Sequence, residues 1–160
     1  MSGKFTLAVV LSLVLGCATV WAADVQTGTW KLNVAKSHYK TGAPPQSSTV
    51  TITPDGKDGV KVMVNTVNPK GEKLNVEYAA QFDGKEYPRT ETGAGAVAGQ
   101  TVSLKRIDDH TVERTAYLKG KKLTTEKWEI SKDGKTRTVT QTGVSADGKP
   151  VDQVQVFDKQ

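Results

Sequence analysis

From Thr27 onward the chain alternates apolar and polar residues with a period of two, and that rhythm confines it to β-structure. Successive side chains on a strand point to opposite faces, so the alternation marks strands with one buried and one wet face. Val50 and Ile52 are spaced by threonine; Val60, Val62 and Val64 follow, then Leu74, Val76, Tyr78, Ala80 and Phe82. Val102 and Leu104 open another run, followed by Val112, Ala116 and Leu118, then Trp128 and Ile130, Val139, and finally Val154, Val156 and Phe157. Threonine is abundant on the outward positions, where a branched side chain suits a pleated surface. No stretch here carries the 3.6-residue periodicity of an amphipathic helix.

Turn signals cut the run into pieces. Asp-Gly-Lys recurs at Asp55, Asp83, Asp133 and Asp147, with Pro69-Lys70-Gly71 and Lys119-Gly120-Lys121 between. Glycine tolerates the positive φ of tight hairpin turns, so each site reads as a hairpin. None has the alternating acidic ligands and distal glutamate of a calcium loop. The spacing predicts an all-β, up-and-down antiparallel meander of about ten strands. A meander with one apolar face closes into a barrel, because closure removes its unpaired edges. Ser37 to Ser47, with Pro44-Pro45, reads as a crossover loop. Glu91 to Gly99 reads as a flexible loop of small residues, without the Gly-Lys-Ser/Thr ending that cradles phosphate.

The first 22 residues read as a signal peptide, leaving residues 23–160 as a single domain. Lys4 precedes an apolar run, and Val20 and Ala22 occupy the positions a signal peptidase reads, so the mature chain is expected to begin at Ala23 in the periplasm or outside the cell. Two alternatives remain. Val14-Leu15-Gly16-Cys17 fits a lipobox that would anchor the protein through lipidated Cys17, and an uncleaved segment would be a membrane anchor. Membrane contact is expected only in those two cases. Cys17 is the only cysteine, so cleavage leaves a chain without disulfides or thiol chemistry. Losing Lys4 leaves 21 basic and 17 acidic residues, scattered as single charges, which is no nucleic-acid footprint.

Catalytic groups are sparse. The histidines are His38 and His110 alone, and Asp108-Asp109-His110 sits where a turn is needed, short of the three or four converging ligands of a metal site. Glu126 and Glu129 flank Trp128 but fall on opposite faces of a strand. No serine nucleophile elbow or Cys-His pair exists. The expectation is a non-enzyme needing no cofactor or metal.

Register places charge inside. Val102 and Leu104 put Arg106 on their inward face; Val112, Ala116 and Leu118 do the same for Arg114. Both strands keep their apolar faces together if Asp108-Asp109-His110 is a three-residue loop, which sets Leu104 opposite Arg114 and Arg106 opposite Val112. If Lys119-Gly120-Lys121 is likewise a three-residue loop, Glu126 falls opposite Arg114 and Trp128 opposite Val112. Arg114 and Glu126 then form an ion pair, leaving Arg106 to orient an acidic or carbonyl-bearing ligand.

Gly28-Thr29-Trp30-Lys31-Leu32 resembles the Gly-x-Trp opening of lipocalins and fatty-acid-binding proteins, members of the calycin superfamily. Val156-Phe157-Asp158-Lys159 is similar to the close of fatty-acid-binding proteins. The resemblance implies a lipocalin-like barrel in which Gly28 and Trp30 are structural, Trp30 plugging the closed end; a core aromatic on a first strand is the plainer reading of Trp30. The chain departs from that pattern where fatty-acid-binding proteins hold a carboxylate with Arg-x-Tyr. The matching residues here are Gln155-Val156-Phe157, and the proline loop replaces the two-helix lid. Trp30 to Asn33 with Ser37-His38 also resembles the first strand of YceI-like polyisoprenoid binders.

The reading is an exported barrel holding a small hydrophobic or amphipathic molecule. Its candidate binding residues are Tyr78, Phe82, Leu104, Arg106, Arg114, Trp128, Gln155 and Phe157, with Val62, Val64 and Val76 on the same faces, and Glu126 has a structural role. The alternatives are a filled barrel serving as an envelope scaffold or protein-interaction module, then a YceI-like binder, then an isomerase-like or hydrolytic use of the cavity.

Overall fold

The computed structural model describes residues 24–160; the segment read as a signal peptide, residues 1–22, and with it Cys17 lie outside the described residues. The strands are β1 (Gly28–Leu32), β2 (His38–Tyr39), β3 (Ser47–Pro54), β4 (Gly59–Val67), β5 (Lys73–Gln81) and β6 (Tyr87–Gly93), then β7 (Gln100–Arg106), β8 (Thr111–Leu118), β9 (Lys121–Ile130), β10 (Thr136–Val144) and β11 (Pro150–Lys159). Each long strand pairs antiparallel with the next, and β1 returns to pair with β11, Trp30 opposite Lys159 and Leu32 opposite Phe157. Ten long strands thus close a barrel. β2 is a two-residue stub on β11, set off from β1 by a single 3-10 turn at Val34–Lys36. The crossover expected over Ser37 to Ser47 is shorter than that, because His38 and Tyr39 stay on the sheet.

The four Asp-Gly-Lys sites all fall in the connections between strands, and their glycines take φ of 68° to 80°. Asp83 and Asp133 accept the backbone N–H two residues on, which fixes the turn locally. Leu104 pairs with Arg114 and Arg106 with Val112, as the apolar faces require. Arg114 pairs with Glu126 and Val112 with Trp128. The chain reaches that second register differently from the expected loop. Leu118 pairs with Lys121 across a two-residue turn, Lys119 and Gly120 both at positive φ, and a bulge between Ala116 and Tyr117 absorbs the residue the shorter turn leaves over.

The core is densest toward one end, where Trp30, Ile52, Val60, Val62, Ala80, Val102, Leu104 and Val112 are essentially inaccessible. The residues before β1 lie across this end. Wholly buried Gln26 accepts the Trp30 indole N–H on its carbonyl at 3.0 Å, and its side-chain amide donates to the His110 carbonyl at 3.2 Å. Asp24 pairs with Arg106. Gly28 opens β1 at φ 131°, and an added Cβ would lie 2.8 Å from the Lys159 stem that crosses Trp30.

The wall has one thin seam. β6 pairs with β5 over five residues but with β7 only at Tyr87–Val102 and Pro88–Thr101. Proline has no amide to continue a ladder. Beyond it Arg89 reaches across to Gln100 at 3.4 Å. Of the expected Glu91–Gly99 loop, Glu91 to Gly93 belong to β6, so the connection is six residues, Ala94 to Gly99.

Two glycines, both at positive φ, sit in contrasting surroundings. At Gly143 (φ 133°) an added Cβ would lie 2.2 Å from the Leu123 carbonyl oxygen, whereas at Gly120 (φ 74°) nothing lies within 4 Å. Gly143→Ala should therefore destabilise by about 2–4 kcal/mol and Gly120→Ala by about 1 kcal/mol, read as urea midpoints. Equal losses would mean that β9 and β10 do not approach so closely.

Candidate functional site

A cavity of about 280 Å³ lies in the barrel on the side away from Gln26. Its framework is three inward rungs on β10 and β11: Arg137 opposite Phe157, Val139 opposite Gln155, and Gln141 opposite Gln153. On β9 the same rungs continue as Ile130, Trp128 and Glu126. Threonines at 136, 138, 140 and 142 take the alternate positions of β10, which is why Arg137, Val139 and Gln141 face in. The opposite wall is mostly aliphatic, with Val50, Val62, Val64, Leu74 and Val76 beside the hydroxyls of Ser48 and Thr66, and Tyr78, Arg89 and Arg114 also line the cavity.

Two of the interior arginines have counter-charges. Arg114, 5% exposed, donates to Glu126. The Glu126 carboxylate also accepts the Trp128 indole N–H at 2.8 Å and the Gln141 amide at 3.0 Å. Burial works most strongly against the Arg114 charge, but Glu126, Tyr78 and Glu91 together outweigh it, and the Arg114 pKa is raised. Arg89 pairs with Glu91, whose second oxygen accepts the Val97 backbone N–H at 2.9 Å. Burial, and the like charge of Arg114, hold the Arg89 pKa below its ordinary value.

Arg137 is different. It is 2% exposed, and its Nε and Nη1 have no hydrogen-bond partner among the described residues. Its guanidinium stacks 4.2 Å above the Trp128 ring and lies 5.8 Å from that of Phe157. Burial pulls its pKa down to about 10, which still leaves it charged at neutral pH. Around the cavity, three guanidinium groups thus face two carboxylates.

Of the residues expected from the sequence, Tyr78, Arg114, Trp128, Gln155 and Phe157 line this cavity, together with Glu126. Leu104 is packed in the core with no exposure. Phe82 and Arg106 lie at the opposite end, in a second pocket of about 770 Å³ that they share with Asp24 and His110. Arg106 stacks 4.0 Å above Phe82 and pairs with Asp24. The expectation that it lacks a counter-charge is therefore corrected: the segment before β1 folds back to supply one. Asp108-Asp109-His110 forms the β7–β8 turn, Asp108 accepting the His110 N–H at 2.9 Å. Sequence reasoning passed over Arg137 and Arg89, although the threonine alternation around Arg137 carries the same inward signal that identified Arg114.

No family model matches the chain, and no curated protein matches it. Among solved structures it resembles two single-residue mutants of the fluorescent protein UnaG. For one the TM-score is 0.58 at 19% identity, for the other 0.57 at 20%, each comparison covering 85% of this chain and 96% of the other. At that identity the likeness concerns the fold alone: both are closed barrels, and this chain closes its barrel as a ten-strand antiparallel meander.

Proposed function

We propose that this protein is an exported, non-catalytic carrier whose barrel holds a small amphipathic molecule bearing an acidic group, with Arg137 as the anchor. The single observation behind this is the Arg137 guanidinium, buried at the cavity wall with no salt-bridge partner and two unpartnered nitrogens among the described residues. Removing an unpaired charge from water costs several kcal/mol, and an anion bound in the cavity would offset much of that cost. The surrounding aliphatic and aromatic side chains exclude water from the rest of the ligand. A volume of about 280 Å³ sits near the lower end of small-molecule sites, about 300–1,000 Å³. That volume also favours a hollow barrel over the filled scaffold.

The periplasm or the exterior is the proposed location, reached through the signal peptide read from residues 1–22. The intact mass of protein purified from its own cell envelope separates the alternatives. A chain beginning at Ala23 is expected, whereas diacylglycerol on Cys17 would replace it with the lipoprotein.

The anchor makes a paired prediction. Arg137→Leu should stabilise the empty protein by about 1–3 kcal/mol in urea, because it removes an uncompensated buried charge. The same substitution should weaken the anionic fluorophore anilinonaphthalenesulfonate at least tenfold while leaving neutral Nile red within about twofold. Unchanged binding of the anionic probe would contradict the anchor.

A further inference from the structure

We infer that the ligand is polar at both ends: an amphipathic acid of short chain that carries a hydroxyl group far from its acid. This rests on the carrier reading and specifies its ligand. The cavity is polar at two levels, and on the rung between them Trp128 and Val139 stand beside Gln155. At the deep level is Arg137, beside Trp128 and Phe157. At the outer level the inward positions of the same strands are amides, Gln141 and Gln153, with Gln155 one rung below. A site built for a plain hydrocarbon tail would place aliphatic side chains there.

Those amides are held but not saturated. Gln141 donates to Glu126 at 3.0 Å, and Gln153 donates to the Gln141 carbonyl oxygen at 2.6 Å. The chain of bonds therefore ends on the Arg114–Glu126 pair, which orients both amides. Gln155 donates to the Tyr39 hydroxyl at 3.2 Å. For Gln153 and Gln155, the other end of each side-chain amide has no partner among the described residues. A hydroxyl both donates and accepts, so it satisfies that free end in either orientation of the amide. A second carboxylate fits less well, because Arg89, the cation on the outer wall, is already paired with Glu91.

The strand register gives the length. The Arg137–Phe157 rung and the Gln141–Gln153 rung are four residues apart, roughly 13 Å at ~3.3 Å per residue. An extended chain of about ten carbons spans most of that distance. A long-chain acid would project beyond the amide level and leave its tail in water.

The test is calorimetric titration of the mature protein with decanoate and with the same acid hydroxylated on its terminal carbon. The hydroxylated acid is expected to bind at least tenfold more tightly, although it is the less hydrophobic of the two. Replacing both Gln153 and Gln155 by leucine should reverse that order while binding of decanoate is kept or improved. If wild-type protein prefers decanoate or binds the two alike, the inference fails, and the carrier reading still stands on its Arg137 arm. If wild type binds neither acid, and Arg137→Leu leaves the anionic fluorophore unaffected, both are overturned. The wild-type comparison needs no variant, so a misfolded double substitution would not rescue the inference.

Discussion

Trp30 opposite Lys159 and Leu32 opposite Phe157 join the first strand to the last, and the interior depends on that closure. An open ten-strand sheet would wet its apolar face and expose two edges. Closed, it shields an Arg114–Glu126 pair, an indole and a bare guanidinium from water. The closure also carries the packed end, because the residues just before β1 are drawn across it by Gln26 and Asp24.

Inside the wall, charge is distributed by strand register. A one-residue slip would turn every side chain to the other face. Instead Arg114 meets Glu126, and Glu126 gathers donors from Trp128 and Gln141 as well. Arg137, two rungs deeper, is left with the Trp128 ring face and no salt-bridge partner among the described residues. Such an arrangement is poor for the stability of the empty barrel and suited to holding an anion. At the outer rung Gln141 and Gln153 are oriented through the same carboxylate, and Gln155 is held by Tyr39.

Much of the fold was legible from alternation and turn chemistry. Two apolar faces that must stay together determined the β7–β8 pairing, while Arg114 with Glu126 rested on a separate expectation, a three-residue loop at Lys119-Gly120-Lys121. The second hairpin shows how a correct register can be reached by an unexpected route. Lys119-Gly120 makes a tighter turn than expected, and a bulge restores the phase. Other features had no local signature. The seam depends on Pro88 meeting β7 at the place where pairing stops, and a single proline does not announce which neighbour it disrupts. Asp24 reaches Arg106 across 82 residues of sequence, so periodicity could not reveal that pairing. Arg137 was readable from the threonines around it, yet its significance lies in the absence of a partner, which only the assembled barrel exposes.

Native mass spectrometry of the protein taken from its own envelope without denaturation tests the central claim most directly. The account predicts one small acid per barrel, retained under gentle conditions and lost from Arg137→Leu. A clean mass for the bare chain, with the cavity intact and the variant indistinguishable from wild type, would contradict it.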